Sequence, residues 1–152
     1  MTNFAEGVGI YSRQHALAVR TTEILVSKLK GRSLSLTGHS LGGGLASLAA
    51  SKWGLTARTF NAAGLSKGTL SFHSIRQGAD SNVQAYYVKG ELLHFAQQQV
   101  IAPAKLGNQI ALESTRVVGF PQFPIVSGMN RYRMHGIDDV IKGLEGKRAW
   151  QK

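Results

Sequence analysis

The chain contains no cysteine, which excludes disulfides and thiolate metal sites and leaves the redox compartment unwritten. Proline is scarce, at 3 in 152 residues, and no repeat, low-complexity tract or linker breaks the chain. No stretch approaches the roughly 18–20 consecutive apolar residues that a membrane-spanning helix needs. The first 30 residues interleave Glu6, His15, Arg20 and Glu23 with their apolar positions, so no signal-peptide core is present in this segment. The five histidines form no i, i+4 ligand pair, and the expectation is a site without metal or cofactor. Acidic residues are the other shortage: 8 Asp and Glu stand against 18 Lys and Arg, for a net charge of +10. Such a surplus favours an anionic partner, which is a nucleic acid, an acidic lipid surface or an acidic protein, or else a basic surface that water solvates. Charge alone does not choose among these.

What is present is enough apolar sequence for a core: 43% of residues are hydrophobic, in a chain of the length of one domain, residues 1–152. Leu17, Ile24, Leu25 and Leu29 recur at helical spacing over residues 13–30, and Gly31 ends that pattern. Residues 33–37 read as a short strand and 41–52 as a helix with Leu41, Leu45 and Leu48 on one face. Gly42, Gly43 and Gly44 each cost such a helix about 1 kcal/mol against alanine, which points to a close backbone approach at its start. Residues 56–61 and 82–89 read as strands, 65–78 as loop and short helix, and 91–101 as a helix. Residues 109–118 hold one or two short edge strands, and Pro121 and Pro124 make 119–130 a loop. Ile137, Val140, Ile141 and Leu144 mark a last helix over 136–145, with Asp138 and Asp139 in its first turn and Gly146 just past its end. Strands alternating with helices imply an α/β layer around a mostly parallel sheet.

Within this order, Gly38-His39-Ser40-Leu41-Gly42 fits G-x-S-x-G and falls where a strand turns into a helix. A nucleophile elbow needs that setting, because the sharp turn lifts the serine hydroxyl clear of the sheet. The Leu41 N–H, at the helix start, then faces a developing oxyanion. A serine hydroxyl needs a base, and the base an orienting carboxylate, in the chain order Ser, acid, His. His39 sits on the elbow, His15 precedes the serine, and no carboxylate lies between Ser40 and His73. His94 and His135 remain, and His94 is three residues from Glu91, a spacing that suits a local surface pair. Carboxylates between Ser40 and His135 are Asp80, Glu91 and Glu113. Glu91 follows a strand, at the sheet end where open α/β sheets place their sites. Asp80 precedes that strand, and Glu113 lies in an edge strand. The preferred set is Ser40 as nucleophile, His135 as base and Glu91 as acid, with Asp80 the alternative acid.

The run from Gly38 to Ala46 resembles the elbow of the class 3 (fungal triacylglycerol) lipases within the α/β-hydrolases. Glu6 to Tyr11 is similar to that family's approach to the elbow, Val88-Lys89-Gly90-Glu91 to its Gly-Asp step carrying the acid, and His135 with Ile137-Asp138 to the histidine opening its last helix. A glutamate where the family has aspartate is a departure. More loosely, the chain looks like lipase-type toxin domains at the C-termini of bacterial secreted effectors. That likeness implies a phospholipid substrate, an anionic membrane surface, an acidic immunity protein as neutralising partner, and delivery by a specialised secretion system to a target-cell envelope.

In α/β-hydrolases the second oxyanion N–H comes from a loop upstream of the elbow. Only 39 residues precede Ser40, and 13–37 are taken by one helix and one strand. The expectation is therefore a partial α/β-hydrolase core, the C-terminal part of a longer hydrolase, weakly active until an upstream segment or second chain completes it. A rival reading is a catalytically incomplete fragment serving as a basic binding module for an acidic protein, an anionic membrane or nucleic acid, through Lys28, Lys30 and Arg32 or through Lys147 and Arg148. Neither cluster has the interleaved aromatics of a nucleic-acid stacking platform, so no nucleic acid is expected. The irregular stretch 92–130 is the candidate lid.

Overall fold

The computed structural model describes residues 13–90, 105–114, 133 and 135–149. The elements are α1 (Arg13–Leu29), β1 (Ser35–His39), α2 (Leu41–Trp53), β2 (Thr56–Phe60), α3 (Lys67–Phe72), β3 (Val83–Val88), β4 (Asn108–Leu112) and α4 (Ile137–Ala149). The four strands form one sheet in the order β1-β2-β3-β4, and every pairing is parallel. This is the α/β fold that the alternation of strand and helix implies. Residues 115–118 of the expected edge strands, the helix at 91–101 and the loop at 119–130 lie outside the described residues.

Side chains alternate across the sheet, so each face selects its own helix. Leu36, Ala57 and Val83 stand in register on one face and pack under Ala50 of α2 with Leu55. Phe60, Tyr86, Val88 and Leu112 belong to the other face and meet Val140 and Leu144 of α4. Both faces are thus covered, as parallel strands require. Small residues make α2 the central helix. Ala46, Ala49 and Ala50 are buried beside Leu48, which is wholly enclosed.

Two helices differ from their sequence patterns. The periodic residues of α1 suggest a buried stripe, yet Leu17, Ile24 and Leu25 are 54%, 44% and 41% exposed, and the buried residues are His15 and Thr22. The α1 helix docks on α2 through a different face, where the Trp53 indole N–H donates to the Val19 carbonyl at 3.0 Å. In α4, Val140 is enclosed whereas Ile137 and Ile141 are exposed, because a single sheet face accepts only the inner part of the stripe. Strand β1 also runs two residues later than the pattern suggests, since its ladder with β2 pairs Ser35 with Thr56 and ends at His39 with Phe60. That shift brings the strand directly up to Ser40.

Candidate active site

The C-terminal ends of β1 and β2 meet at Ser40. This residue has φ 55° and ψ −125°, a left-handed backbone that is strained for any residue with a Cβ. Its peptide groups hold it there. The Ser40 N–H donates to the Phe60 carbonyl at 3.0 Å, and the Ser40 carbonyl accepts from Gly44 N–H at 3.2 Å and Ala63 N–H at 2.9 Å. Flanking glycines make the turn possible by omission of a side chain. A Cβ on Gly38 would collide with the Gly42 carbonyl, and one on Gly43 would stand 2.8 Å from the Ala62 Cβ. A Cβ on Gly44 would stand 2.8 Å from the Ala63 carbonyl oxygen, whereas one on Gly42 would enter open space. The close approach expected of all three helix glycines therefore applies to Gly43 and Gly44, and not to Gly42.

His135 reaches this turn from 95 residues away, placing its Nε2 2.8 Å from the Ser40 Oγ. With the hydroxyl donating, Nε2 is the acceptor, which puts the neutral ring's proton on Nδ1. The distance lies inside the hydrogen-bond reach that a nucleophile and its base require. Leu41 opens α2 immediately after Ser40, so the positive end of a 13-residue helix adjoins the serine.

Two further side chains, the elbow's His39 and the unexpected Asn61, hold the backbone of His135. His39 donates from Nε2 to the His135 main-chain carbonyl at 2.7 Å, and the two rings lie 5.1 Å apart at 43°. The Asn61 Nδ2 donates to the same carbonyl at 3.1 Å, while its Oδ1 accepts from Val88 N–H at 2.9 Å. Asn61 is fully buried and has φ 42°, a backbone state that asparagine tolerates better than most residues. Its signal in the sequence is an amide directly after Phe60, just past the C-terminal end of β2. His39 carries only its place in the elbow, where a sequence cannot show what lies opposite.

The carboxylates fall in different places. Glu91 lies outside the described residues. Asp80 accepts from Gly107 N–H at 2.7 Å, at the opening of β3 and β4, so the length of β3, about 20 Å, separates it from the serine. Glu113 pairs with Lys89 on the surface, with side chains 79% and 53% exposed, and this partner raises the Lys89 pKa. Among the described residues no group of three His, Asp or Glu side chains gathers as a metal cluster would. Beside the elbow, Leu17, Leu36, Leu41, Leu45, Ala46 and Ala49 line an open apolar groove of about 590 Å³ along the β1 edge.

Comparison with known proteins adds a family. A model of a phospholipase-like family, the Tle-like phospholipase domain, matches residues 1–135. The chain belongs to that family. The matched family is thus a phospholipase one, where the elbow's wording resembles triacylglycerol lipases. A curated relative of this Tle-like domain is the extracellular phospholipase A1 of Serratia liquefaciens, 29% identical over 160 residues. The alignment takes in 99% of this chain and 50% of the relative, so the Tle-like domain described here spans about half the relative's length. Its elbow and its Ser40–His135 pair both lie within the matched residues.

Proposed function

We propose that the chain carries the nucleophile and base of a serine ester hydrolase that cleaves an acyl ester of a phospholipid. The observation that carries this reading is the 2.8 Å contact between the Ser40 Oγ and the His135 Nε2 on a strained strand-to-helix turn. Ser40 attacks the ester carbonyl while its proton passes to His135 Nε2. The Leu41 N–H stabilises the oxyanion, and Glu91 orients His135 as the acid. Collapse of the tetrahedral intermediate expels the alcohol, which takes the proton from His135 and leaves an acyl-enzyme. Water, deprotonated by His135, then releases the fatty acid. Kinship with an extracellular phospholipase A1 makes the sn-1 acyl ester the bond to test first.

The +10 charge fits an anionic bilayer as the surface on which this happens. The same reading includes delivery to a target-cell envelope and neutralisation by an acidic immunity protein. It also includes completion by a further segment or chain. In the described sheet β1 has one neighbour, β2, and the apolar groove runs beside its outer edge. No residue of β1 is buried among the described residues, whereas a parallel strand is normally covered on both faces.

Release of fatty acid from phosphatidylglycerol-containing vesicles, together with labelling by a fluorophosphonate probe, tests the assignment. Ser40→Ala is expected to lower turnover by on the order of 10⁶-fold, to background, and to abolish labelling. His135→Ala is expected to fall nearly as far. Retained turnover in Ser40→Ala would refute the hydrolase reading, and labelling lost in Ser40→Ala alone would not be produced by a basic binding module.

A further inference from the structure

The His135 carbonyl has two lone pairs, and two side chains fill them. One donor is the His39 Nε2–H at the end of β1, and the other is the Asn61 Nδ2–H just past β2. The Asn61 amide cannot be turned round, because its oxygen already accepts from Val88 N–H of β3 and its own main-chain N–H donates to the Tyr86 carbonyl at 2.8 Å. The base is thus tied through one atom to the ends of three strands. His135 needs such a tie. It sits in the turn closed by Gly136 N–H on the Arg133 carbonyl, ahead of α4, and neither a strand nor a helix interior holds its backbone. A histidine that must stay within 3 Å of a hydroxyl cannot rest on a turn alone.

From this geometry we infer that His39 is a positioning residue for the general base, acting with Asn61 as a two-donor clamp on the His135 carbonyl. The inference rests on the hydrolase reading above. His39 is bonded to Ser40 in the chain and hydrogen-bonded to His135 across the site, so one dipeptide sets both partners of the proton transfer. Movement of the β1 end then carries nucleophile and base together, and their separation is preserved. The clamp also specifies a tautomer. A carbonyl oxygen can only accept, so the neutral His39 ring must carry its proton on Nε2, the opposite of His135. The tilted contact between the two rings at 5.1 Å keeps His39 from swinging out of line.

The test is a His39 series in the intact chain, read by the second-order rate of fluorophosphonate labelling and by kcat and KM on a short-chain ester. His39→Leu removes the donor, and His39→Gln returns an amide N–H of similar reach. His39→Leu is expected to lower labelling and kcat about tenfold or more with KM unchanged, and His39→Gln to recover most of the loss. Wild-type rates in His39→Leu, or equal damage in both variants, would overturn the clamp. Nitrogen-15 NMR of the wild-type chain tests it without any variant. The neutral His39 is expected as the Nε2–H tautomer, and the Nδ1–H form would overturn the proposal even where a variant fails to fold. Ser40→Ala separates the two levels. Labelling that survives it removes the hydrolase reading and the clamp together, while labelling lost in Ser40→Ala but normal in His39→Leu removes the clamp alone.

Discussion

At Ser40, the proposed nucleophile, φ 55° is an unfavourable backbone state that three main-chain hydrogen bonds enforce. The glycines around it serve different ends. Gly38 and Gly44 leave no room for a methyl, because rigid backbone carbonyls would meet it, whereas Gly42 faces open space along the apolar groove. Gly42→Ala is therefore expected to be neutral or to stabilise the helix by up to about 1 kcal/mol. Gly38→Ala and Gly44→Ala are expected to destabilise by about 1–3 kcal/mol, since neither neighbour can yield by rotating a side chain. Urea unfolding midpoints of the three variants check this, and a Gly42→Ala loss as large as that of Gly44→Ala contradicts it.

Among the elements, α1 shows what a hydrophobic pattern leaves undecided. Its leucines and isoleucine obey helical spacing, yet the residues it buries on docking are His15 and Thr22. His15 lies near His73, which follows α3, and the Lys52 ammonium of α2 donates to the His73 carbonyl at 2.8 Å. Burial holds the His15 pKa below its ordinary value, with the His73 charge adding to the effect, and burial followed by the Lys52 charge does the same for His73. A depressed native pKa means that the unfolded chain takes up protons first as pH falls below about 6.5. Their contribution to stability is thus complete above that pH and is lost as pH drops through the native pKa values. The melting temperature is expected to decline from pH 7.5 to pH 5, and His73→Gln to flatten the decline. Thermal melts followed by circular dichroism at intervals across that range decide it, and an unchanged slope in His73→Gln removes this pair as the cause.

For the whole molecule, β1 has one neighbour in the described sheet and an apolar groove beside it. The chain spans about half of its Serratia liquefaciens relative, and under the proposed function a further segment or chain would lie against β1 and bring the second oxyanion donor. Removing one such donor costs about 100- to 1000-fold in turnover. A form extended to the relative's length, or supplied with the remaining half in trans, is expected to exceed the present chain by that factor per mole of Ser40. Equal turnover on the same vesicles excludes completion. The net charge of +10 belongs to this scale as well, since charge would govern encounter with the proposed anionic bilayer and not the architecture of the sheet.

Much of this protein is legible in its local sequence. The order of strands and helices, the turn at Gly38–Gly42 and the short list of histidines follow from periodicity, glycine placement and a serine between them, all of which act over a few residues. The contents of a local pattern do not include what stands opposite. Which side of α1 docks depends on the surface that α2 offers, and Leu17 and Ile24 lose to His15 there. The roles of His39 and Asn61 depend on a carbonyl brought from 96 and 74 residues away. A hydrogen bond is made by position and direction in space, and those exist only once the sheet has set the ends of β1, β2 and β3 side by side.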